Sequence, residues 1–162
     1  MDESFPPVID SSPLILLARV ESLSLLKVLG PRVVVPRAVA REVQAKVGDP
    51  AAKALSTQDW LEIVDLPAPV PEFLAWELGA GETEVLSWAY RHAGTLAILD
   101  DSEARKNAQR LEIPTLGTLG LVLRAKLRGH LKAARPLIEK LLAQGMYLSP
   151  KVVNQSLMLV GE

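Results

Sequence analysis

Short aliphatic runs alternating with longer helical patterns restrict the folds open to this chain more than any other feature. Val8-Ile9, Arg32-Val33-Val34-Val35, Trp60 to Val64, Thr95 to Leu99 and Ile113 to Leu116 are strand-length and rich in branched side chains, which pack well on a pleated surface. Between them, apolar residues recur at helical spacing, as in Val39, Val43 and Val47 after Pro36, the periodicity of a helix with one buried face. Strands that alternate with helices are joined by crossovers, so the expected fold is α/β, a parallel sheet of about five strands with helices on both sides. The Thr95–Leu99 run is apolar almost throughout, as suits a strand covered on both faces.

Capping and turn residues set the expected boundaries. Ser12-Pro13 reads as the cap and first residue of a helix over Leu14 to Ala18, and Ser22 to Leu29 as a second short helix stopped by Gly30. Asp49-Pro50 opens another. Further helices are expected over Glu72 to Leu78, Glu82 to His92, Ala104 to Leu111, Leu119 to Arg128 and Lys132 to Gln144, and Ser149-Pro150 caps a last segment. Pro67, Pro69 and Pro71 make residues 66–71 a stiff connector. No repeat interrupts this order, so residues 1–162 read as a single domain.

With 162 residues and 49% apolar content, the chain can bury roughly 70% of the surface its unfolded form exposes. It has no cysteine, which excludes disulfides, thiolate zinc sites and thiol nucleophiles, and His92 and His130 are its only imidazoles. Any metal ion would therefore be held by oxygen. No basic segment followed by a long apolar one opens the chain, and no apolar run approaches the roughly 18 residues of a membrane span. The expectation is a cytoplasmic protein with no membrane partner.

The net charge of -1 conceals an asymmetry. Residues 1–103 carry 8 Lys+Arg against 16 Asp+Glu, a balance of -8, whereas residues 104–140 carry 9 against 2, a balance of +7. One reading is ordinary solvated helix faces; the other is a phosphate-binding rim beside an acidic centre. Arg105, Lys106 and Arg110 share one helix, and Arg124 and Arg128 share a face of the next basic one. The basic stretch contains none of the chain's seven aromatic residues, so backbone contacts are favoured there over base stacking.

Four acids stand out by position. Asp10 and Asp100 each follow a strand, and in a doubly wound sheet the ligand crevice lies beyond the carboxyl ends of the strands, where the winding reverses. With strand order 3-2-1-4-5 the two would be neighbours. Glu82 shares a face with Val85, Leu86 and Ala89, whereas Glu84 is expected to point away; Glu42 lies on the edge of the Val39–Val43 stripe. Each has a plain competing role: helix cap or turn residue for Asp10 and Asp100, first-turn acid for Glu82, an ion pair with Lys46 for Glu42; the neighbouring Asp101 is a helix cap or a site member. Brought together, two carboxylates at about 4 Å repel by about 4 kcal/mol at an effective dielectric near 20, which a bound cation relieves.

These positions also carry a resemblance. Val8-Ile9-Asp10-Ser11-Ser12-Pro13-Leu14-Ile15, then Arg41-Glu42-Val43, then Gly79-Ala80-Gly81-Glu82, then Leu99-Asp100-Asp101-Ser102-Glu103-Ala104-Arg105 are similar to the successive motifs of the PIN domain. With Gly117-Thr118-Leu119-Gly120, the sequence resembles an uncharacterised prokaryotic branch of that family, over about Val8 to Gly129. The resemblance implies a three-layer α/β/α fold with sheet order 3-2-1-4-5 and a metal-dependent ribonuclease, often the toxin of a toxin–antitoxin pair. By motif position Asp10, Glu42, Glu82 and Asp100 are the catalytic acids, and Ser12 is the small polar residue after the first. The chain departs from the pattern in having Glu82 where aspartate is common and no aromatic residue shortly after Asp100.

Carboxylate and water ligands suit Mg²⁺ or Mn²⁺, with Asp10, Glu82, Asp100 and Asp101 as the metal set. Ser12, Arg105, Lys106, Arg124 and Arg128 are the expected contacts to an RNA substrate. Candidate protein partners are a small antitoxin and, as a homodimer, a second copy. A phosphoacceptor receiver domain fits poorly, since its acidic pair would follow the first strand and a lysine would stand where Thr118 does. The stronger rival is a noncatalytic module binding nucleic acid or a partner.

Overall fold

The computed structural model describes residues 4–162. Five strands, β1 (Val8–Ile9), β2 (Val33–Pro36), β3 (Leu61–Val64), β4 (Ala97–Ile98) and β5 (Thr115–Leu116), form one parallel sheet in the order β3-β2-β1-β4-β5. The helices are α1 (Ser11–Arg19), α2 (Arg37–Gln44), α3 (Pro50–Thr57), α4 (Ala80–Arg91), α5 (Ser102–Arg110), α6 (Thr118–Leu127), α7 (Arg135–Ala143) and α8 (Pro150–Leu159). They flank the sheet in three α/β/α layers with the expected strand order. Val8, Ile9, Val33, Val35, Ala97, Ile98 and Leu99 are fully buried, because parallel strands with helices on both faces have no wet side. Leu14, Leu17, Leu86, Leu121 and Ile138 complete that core from the helices, each contributing about 1.5–3 kcal/mol by leaving water.

After β3 the chain crosses β2 and β1 to lay β4 against the far side of β1, so the winding reverses between β1 and β4. Val8 pairs with Ala97 and Ile9 with Ile98, which brings the ends of both strands, and the residues that follow them, to one edge. Pairing continues past the regular strand: the Leu99 N–H donates to the Leu116 carbonyl at 3.1 Å.

Several boundaries differ from expectation. α1 begins at Ser11, with Asp10 rather than Ser12 at the cap position. Leu23–Leu29 and Pro71–Trp76 are 3-10 segments, since six or seven residues give too little α-helical propagation to offset nucleation. α7 starts at Arg135, three residues later than Lys132, where the Glu162 carboxylate accepts from the Ala134 and Arg135 N–H groups at 2.6 and 3.2 Å. The proline-rich connector is stitched to α4, its Val70 N–H donating to Ser87 Oγ at 2.9 Å and its Ala68 carbonyl accepting from Arg91.

Candidate active site

At the strand reversal a cleft of about 940 Å³ opens over the ends of β1 and β4, lined by Asp10, Glu82, Asp100 and Asp101. Asp10 is its floor. The residue is only 4% exposed, and although it stands at the start of α1 its side chain makes no capping hydrogen bond. Burial pushes its carboxyl up to about 7; the Ser11 backbone N–H opposes this, while the charges of Glu82, Glu42 and Asp100 add to it.

The other three acids each have their own donors. Asp100 Oδ1 accepts from the Thr118 N–H at 2.7 Å, and Oδ2 from the Thr118 hydroxyl at 2.6 Å. Glu42 Oε2 accepts from the Ser11 hydroxyl at 2.8 Å and Oε1 from the Gly81 N–H at 3.3 Å; the alternative pairing with Lys46 does not form, and Lys46 lines the cleft instead. Glu82 Oε2 accepts from the Gly79 N–H at 3.3 Å, the reaching-back half of a capping box whose other half a glycine cannot supply. Burial, then the charge of Asp101, push the Glu82 carboxyl up against the Gly79 N–H, and Glu42 adds to the rise.

Asp101 caps α5 as expected, through the Ala104 N–H at 2.8 Å, and also lines the cleft. Glu84 does not point away: it accepts from the Ala38 N–H at 2.8 Å and so caps α2 from α4.

Asp10, Glu82, Asp100 and Asp101 therefore share one cleft, but their oxygens do not converge on one point. Among the described residues no three His, Cys, Asp or Glu side chains stand close enough to form a ready metal cage. The expectation was that Asp10, Glu82 and Asp100 lie close enough to share one ion or its waters; they share the cleft, without a ready cage. The physical reason is mutual repulsion, which each of the outer three relieves with a separate N–H or O–H donor. As a donor set they nevertheless fit a hard divalent cation: all oxygen, anionic, and centred on a buried carboxyl that a cation would favour in its charged form.

Two glycines make the geometry. A Cβ on Gly81 would stand 2.9 Å from Glu42 Oε1 and 3.1 Å from Asp10 Oδ1, and one on Gly117 would stand 3.0 Å from Arg105 Nη1 and 3.1 Å from Asp100 Oδ1. Neither site tolerates a side chain without moving an acid.

Of the expected RNA contacts, Ser12 and Arg105 line the cleft. Lys106 lines an adjoining groove of about 530 Å³ that shares Asp100 and Arg105, and is paired with Glu103 at 3.2 Å. Arg124 is absent from both linings. Arg128, about 15 Å along α6 from Thr118 at 1.5 Å per residue, donates to the Val28 carbonyl at 2.8 Å; its sequence neighbourhood suggested phosphate, but its partner is backbone. The sequence reading missed Arg19, Lys46 and Tyr147, which line the cleft, and Thr118, whose only signal was its place in Gly117-Thr118-Leu119-Gly120.

A family model described as a PIN domain matches residues 6–162. The chain belongs to the PIN-domain family, whose fold is of the nuclease type. No curated protein matches it.

Proposed function

We propose that residues 1–162 act as a single PIN-like domain and a metal-dependent endoribonuclease, hydrolysing RNA phosphodiester bonds over the ends of β1 and β4. The observation that carries this reading is Asp10, a buried carboxyl left out of any cap, at the strand reversal, with three more acids around it. Asp10, Glu82 and Asp100, with Asp101 at the rim, would hold Mg²⁺ or Mn²⁺. When bound, such an ion supplies a water of lowered pKa and neutralises charge on the leaving oxygen. Glu82, with its carboxyl shifted up and, among the described residues, no hydrogen-bond donor to its Oε1, suits acceptance of a proton from the attacking water. Glu42 acts from behind, fixing Ser11 and the Gly81 backbone against Asp10. Arg105 and Lys46 offer positive charge to the phosphate from the cleft walls.

The test is cleavage of RNA by purified protein in Mg²⁺ or Mn²⁺. Chelator, Asp10→Asn and Asp100→Asn should each abolish it while lowering RNA affinity far less. Undiminished cleavage in excess chelator overturns the metal mechanism. A cytoplasmic toxin role, supported by the family resemblance, predicts that expression arrests growth, and that Asp10→Asn or a small antitoxin from the neighbouring gene relieves the arrest. One observation favours a noncatalytic binding module instead: both carboxylate oxygens of Glu42 and of Asp100 already accept hydrogen bonds from the protein. RNA binding with no cleavage under any divalent ion would select that reading.

A further inference from the structure

The cleft's lining combines the acids and Arg105 with aliphatic side chains, among them Leu119 and Leu123 of α6, Met146, Leu148 and Val152, which form its apolar wall. A metal ion and a phosphodiester account for the acids and Arg105 and make no use of the apolar wall. Tyr147, between Met146 and Leu148, also lines the cleft and is 93% exposed. An aromatic side chain left almost wholly in water beside a polar site has a flat apolar face available to a ligand.

Tyr147 sits on a pinned loop. The Met146 N–H donates to the Leu141 carbonyl and the Gly145 N–H to the Leu142 carbonyl, both at 3.1 Å, closing α7 through Gly145 at φ 100. On the other side Ser149 Oγ accepts from the Val152 N–H and caps α8. The ring is thus carried on a backbone fixed at both ends.

The second groove, which shares Asp100 and Arg105 with the cleft, presents Ser102, Arg105, Lys106 and Gln109 from α5, a polar and basic surface matched to phosphates rather than bases. Resting on the ribonuclease reading above, we infer that Tyr147 is a stacking platform for one unpaired nucleobase of the RNA. The base lies on Tyr147 against the aliphatic wall, its neighbouring phosphate faces Asp10 and Asp100, and the following phosphates run along α5. A base already stacked and paired inside a helix cannot reach that wall. The bases of an unpaired segment can, whatever their identity, because each has a π-face.

The experiment uses the full chain with Asp10→Asn, which binds without cutting, and measures fluorescence anisotropy with a labelled single-stranded oligoribonucleotide, the same strand with abasic positions, and a perfect hairpin duplex. Adding Tyr147→Ala should weaken single-strand binding roughly 5- to 100-fold, the range that one base–aromatic stack commands. Tyr147→Trp should restore it, and Tyr147→Ala should matter little for the abasic strand or the hairpin. Equal affinity of the Ala and Tyr forms for the single strand, or an equal loss on the hairpin, overturns the platform while leaving the nuclease reading intact. In that event a protein partner is the occupant to test on the apolar wall. If the Tyr147 form binds none of the three RNAs, the ribonuclease reading itself has failed and the platform fails with it.

Discussion

Asp10 is a carboxyl that the fold favours in its neutral form. Burial, helped by Glu82, Glu42 and Asp100, lifts it from 3.8 to about 7. Because the folded value lies above the unfolded one, its contribution to stability is full below about pH 4 and is lost as pH rises through 7. At about 1.4 kcal/mol per unit the full loss is on the order of 4 kcal/mol. In chelator, Asp10→Asn should therefore melt above the parent at pH 8, with the gap closing toward pH 4; a gap independent of pH would contradict the assignment. Added Mg²⁺ should raise the melting temperature of the parent and leave that of the variant nearly unchanged. Gly81 makes a complementary case. Alanine gains up to about 1 kcal/mol of helix propensity at that position, but its Cβ displaces the Glu42 and Asp10 oxygens. Gly81→Ala should leave stability within about 1 kcal/mol and reduce cleavage about 100-fold, the cost of misplacing a reacting group by about 1 Å. Melting and cleavage measured on one preparation separate the two effects, and unimpaired cleavage would remove Gly81 from the site.

At the scale of elements, the helix starts divide by where their caps come from. Asp49, Asp101 and Ser149 cap α3, α5 and α8 locally. α2, α6 and α7 start after Pro36, Gly117 and Ala134, none of which supplies a capping side chain, and each receives a distant acid: Glu84, Asp100 and Glu162. A carboxylate at a helix start satisfies orphan N–H groups and meets the positive end of the dipole. For Asp100 this means that one side chain both ties α6 to the end of β4 and faces the cleft. Glu84 has the first role only, so Glu84→Ala should cost about 1 kcal/mol in denaturant unfolding. Since α2 carries Glu42, the same change should also lower cleavage modestly, and Glu84→Gln should recover part of both. Unchanged stability in Glu84→Ala would show that the Ala38 N–H finds water instead.

Across the whole molecule, the basic half of the sequence does not form one surface. Arg105 faces the cleft, joined there by Arg19 and Lys46 from the acidic half, while Arg128 is spent on the Val28 carbonyl. The salt dependence of RNA binding should follow position in space rather than in sequence. Neutralising Arg105 and Lys46 should flatten the log–log slope by about 0.7 per lost phosphate contact on a single strand. Arg128→Ala should leave the slope unaltered and cost about 1 kcal/mol of stability through its hydrogen bond. The reverse pattern would place the RNA path along the far end of α6.

How much of this was legible depended on range. Strand runs, helix periodicity and the strand-end positions of Asp10 and Asp100 are local patterns, and they sufficed for the α/β class and for the acids that line the cleft. With the family motifs they also yielded the strand order. Local propensity could not tell α from 3-10 geometry over Leu23–Leu29, nor foresee that Glu84 turns toward α2. That Thr118 meets Asp100, that Ser11 and Gly81 meet Glu42, and that Lys46 and Tyr147 line the cleft all depend on residues far apart in the chain. Which side chains carry charge, and on which element each stands, is written locally, because periodicity and capping act over a few residues. What each charge meets is set by the folded chain, because hydrogen bonds, burial and repulsion between Asp10, Glu42, Glu82 and Asp100 act through space.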